Sequence, residues 1–167
     1  MAYYKTAQIC ENGHLITGDA SNEPERTETY CRKCGAKTIT DCPNCNAHIR
    51  GDYVYISTDW VHGEHEYTDY ISTIPSYCPE CGHPFPWTVK ALSAAEQLIN
   101  DSDLSNEDKS IFSKNVVNLV SETPETTVAA MRIKKILPKV SNITGEAIKE
   151  VLFSIASEAA RRFLWPQ

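Results

Sequence analysis

The spacing of the cysteines constrains the fold of this chain more than any other feature of its sequence. Six of the seven cysteines form three Cys-x-x-Cys pairs, and the seventh is followed four residues later by a histidine. A Cys-x-x-Cys turn presents two thiolates to one metal ion, so four such pairs of ligands are enough for two tetrahedral sites. The candidate metal ligands are therefore Cys10, His14, Cys31, Cys34, Cys42, Cys45, Cys78 and Cys81.

The order of the pairs along the chain favours one way of sharing them between two sites. Sequential pairing gives a first site in residues 10–34 and a second in residues 42–81, each in a zinc ribbon built from two knuckles and β-hairpins. The alternative joins the second pair to the third and leaves Cys10 and His14 with the last. Residues 36–40 alternate like a strand and suit a link between two ribbons, so we favour sequential pairing.

The eighth ligand has two rival candidates. His48 and His83 each follow a Cys-x-x-Cys pair closely, as His14 follows Cys10. Only His14 gives Cys10 a partner nearby in the sequence, and we therefore assign it to the first site.

Other uses of the cysteines fit the sequence less well. Disulfides need an oxidising compartment, whereas this chain has an odd number of cysteines and no secretory signal. A redox Cys-x-x-Cys is expected once, in a βαβ unit, and not three times in strand-rich sequence. Iron suits an all-cysteine site, but zinc is the usual metal for such pairs. Four protein ligands leave no position for a substrate, so we predict two structural Zn(II) ions.

Composition divides the chain into two regions. All cysteines, histidines and tyrosines lie in the first 83 residues, whereas seven of the eight leucines lie in the last 77. The first region has few large aliphatic residues, and structural zinc, worth about 10–16 kcal/mol, would supply the stability that its core does not. We predict an α+β fold, with a double zinc ribbon in residues 1–83 and a helical bundle in residues 93–167. Prolines in residues 84–92 oppose a helix and predict a linker there.

The second ribbon contains a long insert between Cys45 and Cys78. Residues 52–57 alternate as a strand and residues 67–74 resemble a partner strand, which predicts an extended hairpin with its tip at residues 58–66. Its aromatic side chains either pair across the strands as a small hydrophobic layer or form a face for a partner. The candidate partner-binding residues here are Tyr53, Tyr55 and Trp60.

The insert also contains a histidine-rich stretch, residues 62–69. A metalloprotease motif, His-Glu-x-x-His, needs its second histidine one helical turn after the first. Here His65-Glu66 is followed by Asp69 at that position, in strand-like sequence. We interpret the stretch as a solvated hairpin tip and predict no enzymatic activity. A hydrolase remains the alternative, which a metal content above two ions per chain would support.

Capping signals divide the C-terminal region into four predicted helices. They begin near Ser93, Ser105 and Thr123, and the last runs from about residue 143 to about residue 165. In that last helix, Phe153 and Leu164 fall on or beside the polar side, away from the apolar stripe. We therefore predict that both are partner-binding residues, buried against the ribbons, a second copy of the chain or another protein.

Net charge and hydropathy indicate which classes of partner the chain can bind. The chain has 16 basic and 22 acidic residues, a net charge of −6, which disfavours a protein that holds nucleic acid phosphates. No stretch is apolar enough to span a membrane, and without a secretory signal we predict a cytoplasmic protein. Nucleic acid contacts, if present, would involve Arg32, Lys33 and a cluster formed by Arg132, Lys134, Lys135 and Lys139. Cations near a helix C-terminus are also favoured by the helix dipole alone.

Several motifs resemble those of an uncharacterised family of bacterial proteins. They are Ala-Gln-Ile-Cys-Glu-Asn-Gly-His, Cys-Arg-Lys-Cys-Gly-Ala-Lys-Thr, Cys-Pro-Asn-Cys followed by Ile-Arg-Gly, Cys-Gly-x-Pro-Phe-Pro-Trp-Thr and a final Ser-Glu-Ala-Ala-Arg-Arg. The resemblance spans nearly the whole chain and implies a double zinc ribbon followed by a helical domain in a bacterium. It also places His14 at the family's Cys-x-x-x-His position. It implies no activity.

These patterns favour a non-enzymatic, zinc-stabilised module that binds another protein or a second copy of itself. The closed metal sites, the surplus of aromatic residues in the insert and the two-sided last helix all agree with that function. The alternative is a zinc-ribbon protein that binds nucleic acid.

Overall fold

Strands in the first half of the chain and helices in the second follow the division between cysteines and leucines. The computed structural model describes residues 2–61 and 63–166, with the backbone alone at residues 59, 142 and 143. The chain separates into two compact units, Met1–Trp87 and Thr88–Gln167. This arrangement of small antiparallel sheets and helices confirms the predicted α+β class.

In the part of the first unit that the structure describes, six strands form two antiparallel sheets. The strands are β1 (Ala2–Thr6), β2 (Gln8–Cys10), β3 (Leu15–Thr17), β4 (Thr38–Ile39), β5 (Arg50–Asp59) and β6 (Gly63–Asp69). One sheet has the order β3-β2-β4 and contains the first cysteine. The other has the order β1-β5-β6 and contains the insert predicted from the sequence.

Strands β5 and β6 form a hairpin, called the arm below, in which every residue of β6 pairs with β5. Tyr53 lies opposite Asp69 at its base, and Asp59 lies opposite Gly63 at its tip. The predicted tip at residues 58–66 is therefore wrong, because the two strands remain paired as far as Asp59 and Gly63. Gly63 has a φ of +77°, and its lack of a side chain makes that backbone conformation accessible. The partner strand accordingly begins at Gly63 and not at Tyr67.

The base of the arm is packed tightly against the first ribbon. A Cβ atom on Gly51 would lie 2.1 Å from the carbonyl oxygen of Gly18, so no larger residue fits there. The neighbouring Asp52 is buried, and its carboxylate accepts a hydrogen bond of 2.9 Å from the backbone amide of Ile71. These contacts fix the orientation of the arm relative to the first ribbon.

A small core supports the first unit. It contains Ala7, Ile9, Ile49, Phe85 and Trp87 together with the buried thiols of Cys42 and Cys78. The Phe85 and Trp87 rings stack with their centroids 4.6 Å apart, and the Trp87 indole donates to the carbonyl oxygen of Pro75 over 2.8 Å. A core of this size agrees with the low aliphatic content of the region.

The predicted linker in residues 84–92 is corrected by the structure. Helix α1 occupies Pro86–Asn100, so most of that segment is helical. Proline is well suited to the first position of a helix, where its missing amide hydrogen would have no intrahelical acceptor. Proline is destabilising only further inside a helix, and Pro86 therefore begins α1 without breaking it.

The second unit contains the remaining helices. They are α2 (Asn106–Val116), α3 (Pro124–Ile136), α4 (Asn142–Ile155) and α5 (Glu158–Leu164), with short 3₁₀ turns at Val117–Leu119 and Leu137–Lys139. Ser105 caps α2 by accepting from the Asp108 amide over 3.1 Å, and Thr123 caps α3, as predicted. None of the helices in the described part of the chain is long and apolar enough to cross a membrane.

The last predicted helix is two helices. The backbone leaves the helical conformation at Ala156 and Ser157, and Ser157 caps α5 by accepting from the Ala160 amide over 3.3 Å. The break changes the helical phase and turns Leu164 into the core of the second unit, where it is only 6% exposed. The prediction that Leu164 lies on a separate, partner-binding surface is therefore wrong.

Candidate metal centres

Four tight turns position the candidate ligands. The amide of Gly35 donates to the carbonyl of Cys31 over 2.7 Å, and the same bond is made from Asn46 to Cys42 and from Gly82 to Cys78, each over 2.8 Å. In the first turn, Gly13 donates to the Cys10 carbonyl over 2.8 Å. Each turn thus directs its two side chains to one side.

The residue that closes each turn has a positive φ. The values are +83° at Gly13, +70° at Gly35, +60° at Asn46 and +72° at Gly82. Glycine and asparagine are the residues that enter this left-handed region at least cost. The sequence Cys-x-x-Cys-Gly or Cys-x-x-Cys-Asn therefore specifies the turn as well as the ligands.

The first cluster joins Cys10, His14, Cys31 and Cys34. The Nδ1 atom of His14 lies 3.5 Å from the Cys10 sulfur and 3.6 Å from the Cys31 sulfur, and the sulfurs of Cys10 and Cys34 are 3.7 Å apart. All four ligand atoms lie within 4.8 Å of one another. Sequential pairing therefore agrees with the structure, and these four atoms can surround one metal ion.

The second cluster joins the remaining four cysteines. The sulfurs of Cys42 and Cys81 are 3.8 Å apart, and those of Cys45 and Cys78 are 3.7 Å apart. As in the first cluster, all four ligand atoms lie within 4.8 Å of one another. The two clusters can therefore hold one metal ion each.

Backbone amides favour the thiolate form of one cysteine in each cluster. The amide of Ala36 lowers the pKa of Cys34 to about 6, and the amide of His83 lowers the pKa of Cys81 to about 6. Burial acts in the opposite direction on Cys10, whose thiol pKa is raised. Because a metal binds thiolates, these two backbone amides favour metal binding at Cys34 and Cys81 near neutral pH.

Hydrogen bonds around the first cluster orient its ligands. The His14 amide donates to the Cys10 sulfur over 3.3 Å, and the Asn12 side-chain amide donates to the Cys34 sulfur over 3.4 Å. Such hydrogen bonds from groups that do not bind the metal themselves, here a backbone amide and a side-chain amide, fix the orientation of the ligands.

The rival histidines have other contacts. His83 Nδ1 lies 3.2 Å from the side-chain nitrogen of Asn44, and His48 contacts the carboxylate of Asp41. Neither belongs to the two clusters found among the described residues. In the histidine-rich stretch, His62 lies outside the described residues, and His65 lies in β6 opposite Ser57.

The aromatic residues of the arm lie on one face of the β1-β5-β6 sheet, called the tyrosine face below. It comprises Tyr4 of β1, Tyr53 and Tyr55 of β5, and Tyr67 of β6. Successive ring centroids are 4.7 Å apart from Tyr4 to Tyr53, 5.9 Å from Tyr53 to Tyr55 and 5.6 Å from Tyr55 to Tyr67. Tyr4 is 51% exposed and Tyr67 is 45% exposed, so the row of rings is accessible to solvent.

The sequence did not reveal the role of Tyr4. Residues 2–6 form the third strand of the arm's sheet, with Tyr4 opposite Tyr53. The sequence Tyr3-Tyr4-Lys5-Thr6 does predict a strand, because tyrosine and threonine both favour strands. The pairing of β1 with β5 could not be predicted, because the two strands are distant in the sequence and no hairpin turn connects them.

The other predicted partner-binding residues are not part of this row of rings. Trp60 is fully exposed at the tip of the arm. Phe153 is 54% exposed in the second unit, where the Trp165 ring meets it edge-on with centroids 5.5 Å apart and the Arg161 guanidinium lies 4.8 Å above it. Contacts within its own unit thus cover part of Phe153.

Three residues of the basic cluster are engaged within their own unit. Arg132 donates to the Asn115 side chain over 3.2 Å, Lys134 donates to the Phe163 carbonyl over 2.8 Å, and Lys139 pairs with Asp108 over 2.9 Å. In the first unit, Arg32 forms an ion pair with Glu28. Most of the candidate nucleic acid contacts therefore already have acceptors.

One comparison with known proteins gave a match. A family model described as an uncharacterized protein conserved in bacteria (DUF2321) matches residues 3–164. Neither the curated proteins nor the solved structures contain a match to the chain. The matched range includes both metal clusters, the arm and the helices.

Proposed function

The chain belongs to this bacterial family, and we propose that it is a non-enzymatic protein-interaction module whose first unit is held together by two structural zinc ions. The observation that carries the proposal is the position of the arm. Both of its ends lead into the second four-ligand cluster, and one face of its sheet presents the row of tyrosine rings to solvent. The metal would stabilise the scaffold, and the arm would make the contact.

Zinc fits the spacing of the ligand atoms. In a tetrahedral site, zinc–sulfur bonds of about 2.3 Å place two sulfur atoms about 3.8 Å apart. A zinc–nitrogen bond of about 2.0 Å places the nitrogen atom about 3.5 Å from a sulfur atom. The corresponding separations here are 3.7 and 3.8 Å between sulfurs, and 3.5 and 3.6 Å from His14 to sulfur. Larger ions with oxygen preference fit neither the distances nor the donor atoms.

A structural role for the metal follows from the number of ligands. Three cysteines and one histidine, or four cysteines, complete a tetrahedron, which leaves no open position for water or substrate. Free thiolates for zinc persist in a reducing compartment, so the proposal assigns the protein to the cytoplasm. The small core of the first unit explains why a metal would be needed for its stability.

The exposed aromatics support a role in protein binding. Tyrosine and tryptophan are the residues that most often contribute large shares of binding energy at protein interfaces. The tyrosine face and Trp60 supply such residues on a rigid, fully paired hairpin, which loses little conformational freedom on binding. Phe153 is a second, smaller candidate contact on the other unit.

Nucleic acid binding receives less support. Residues 51–89 contain six Asp or Glu and no Lys or Arg, so the region of the arm would repel phosphates. The engaged cations of α3 and Arg32 weaken the remaining basic candidates. A salt-dependent shift of nucleic acid in a gel would favour this alternative, and we expect none.

The proposal is tested by affinity capture from a bacterium that encodes the chain. We compare zinc-loaded wild type with Tyr67→Ala and, as a matched control, Tyr30→Ala, which removes a tyrosine that is 65% exposed in the first ribbon. We expect specific partners to be retained by the wild type and the control and lost by Tyr67→Ala. Capture that is identical for all three proteins would contradict a role for the arm.

A further inference from the structure

We infer that the tyrosine face binds an extended polypeptide segment that is rich in arginine or lysine. This inference rests on the proposed function, because it names the class of partner that the interaction module takes. It is carried by three features of the first unit: the spacing of the rings, a cation already stacked on one of them, and the negative charge of the arm.

The ring spacing suits an extended chain. Side chains on one side of a β-strand repeat at about 6.6 Å, since each residue advances the chain by about 3.3 Å. The rings of Tyr53, Tyr55 and Tyr67 follow one another at 5.9 and 5.6 Å. Tyr53 and Tyr55 follow one another along β5, and Tyr67 lies across from Tyr55 on β6. Alternate side chains of a segment lying along β5 would therefore meet the Tyr53 and Tyr55 rings, with the Tyr67 ring beside the second of them.

Arg50 shows how a cation is held on this face. Its guanidinium carbon lies 5.1 Å from the centre of the Tyr4 ring, while one of its nitrogens pairs with Glu80 over 2.8 Å. Arginine gains from the negative face of an aromatic ring and from a nearby carboxylate together. Residues 51–89 contain no Lys or Arg, so the arm beyond Arg50 brings no cation of its own to the other rings.

The charge of the arm complements a basic segment. Asp69 lies directly opposite Tyr53, on the same face of the sheet as the rings, and its side chain is exposed. Glu64 and Glu66 add charge on the opposite face of β6, so the arm as a whole attracts cations. An acidic segment, or a nucleic acid, would instead be repelled.

A groove beside Tyr4 and Tyr53, at the base of the arm, offers the bound segment a further contact at one end of the row of rings. It has a volume of about 410 Å³ and is lined by Tyr4, Tyr53, Asp69, Tyr70, Tyr77 and Phe85, among others. Aromatic-lined grooves accept proline-rich extended segments, which are already ordered before they bind. We therefore assign the groove to an apolar residue, such as proline, beside the cationic positions.

The test uses the full-length, zinc-loaded protein and two synthetic peptides. One alternates arginine with proline and the other alternates glutamate with proline at the same length. We expect calorimetry to detect binding of the arginine peptide alone, weakened when NaCl is raised from about 50 to about 500 mM. We expect Tyr67→Ala to weaken it roughly threefold or more, because one cation–ring contact is removed.

Tyr3→Ala is the matched control. Tyr3 is 48% exposed and adjacent to Tyr4 on β1, but it points to the other face, opposite Val54. This variant should bind the arginine peptide like the wild type. Zinc content and circular dichroism report whether each variant is folded, and Asp69→Asn replaces Tyr67→Ala if that variant fails to fold.

Three results would overturn the inference. They are no binding of the arginine peptide, equal binding of the glutamate peptide, and equal losses for the variants on the two faces. The proposed function fails separately, when the captured proteins do not depend on Tyr67. A capture that depends on Tyr67, together with no peptide binding, would retain the interaction module and reject only its cationic partner.

Discussion

His14 is the one ligand of the first cluster that is not a cysteine. Its Nδ1 atom reaches the sulfurs of Cys10 and Cys31 at distances that match a shared tetrahedral ion. The cysteines of this cluster need only their local spacing to be identified, whereas the histidine had two rivals. His14 is distinguished by the turn closed at Gly13, which brings it back to Cys10.

Replacing His14 should affect one metal ion only. We expect His14→Ala to lower the zinc content from two ions per chain to one, because three thiolates bind the ion less well. His14→Cys should restore two ions, since it supplies a fourth thiolate. Atomic emission spectroscopy measures both values.

His83→Ala is the control for this experiment, because His83 contacts Asn44 and lies outside the cluster. A His14→Ala protein that keeps two ions would show that another residue completes the first site.

The turn-closing residues allow a second test at this scale. Gly35 and Asn46 occupy equivalent positions, with φ of +70° and +60°, and nothing lies within 4 Å of a Cβ atom placed on Gly35. Gly35→Asn should therefore be tolerated, whereas Gly35→Val should destabilise the ribbon by about 1–2 kcal/mol through backbone strain alone. Chemical denaturation of the zinc-loaded proteins measures the difference. Equal stability of the two variants would refute the strain argument.

At the scale of elements, local signals predicted more than periodicity did. Ser105 and Thr123 were identified as helix caps from short motifs, and both cap helices. The helix start predicted in the same way at Ser93 is wrong, because Ser93 lies inside α1. The periodicity of the last helix was misleading, because a continuous helix was assumed across Ser157. The signal for a break was present, since serine followed by Glu158 is itself a favourable helix start. Strand β1 could not be paired from sequence, because its partner lies more than forty residues away.

Phe153 should contribute to the stability of the second unit. Its ring meets Trp165 edge-on and lies beneath the Arg161 guanidinium. We expect Phe153→Ala to lower the free energy of unfolding of this unit by about 1–2 kcal/mol, from the lost aromatic pair and cation–ring contact. Urea denaturation followed at 222 nm measures it.

Phe163→Ala on α5 is the matched control, because Phe163 is 42% exposed and this change removes the same phenyl ring, whereas the ring contacts seen among the described residues of this unit involve Phe153. If both variants lose the same stability, the contacts of Phe153 contribute nothing specific.

At the scale of the whole molecule, each unit has a core of its own kind. The first combines a few apolar residues with buried cysteines, and the second contains the buried aliphatic residues of the helices. This difference was predictable, because cysteines and leucines occupy separate parts of the sequence. The units should therefore respond differently to the loss of metal.

Cys78→Ser should unfold residues 42–81 while leaving the helices of the second unit folded. The second cluster would lose one of its four ligands, and structural zinc is worth about 10–16 kcal/mol to a small domain. Hydrogen exchange followed by mass spectrometry should show rapid exchange in β5 and β6 and unchanged protection in α2, α3 and α4.

Treatment of the wild type with a metal chelator is the comparison experiment. It should increase hydrogen exchange in both ribbons and leave exchange in the helices unchanged. Loss of protection in the helices in proportion to that in the ribbons would mean that the chain unfolds as one cooperative unit.

The pairing of β5 with β6 also affects how freely the arm can change in length. Residues 46–77 separate the two ligand pairs of the second cluster, but the bond from Ile71 to Asp52 closes the hairpin at its base. Beyond that bond, adding or deleting opposed residue pairs would leave Cys45 and Cys78 where they are, because strand pairing carries the change outward. Insertions and deletions among members of this family should therefore be common at residues 57–65 and come in even numbers, because each opposed pair adds or removes one residue in each strand.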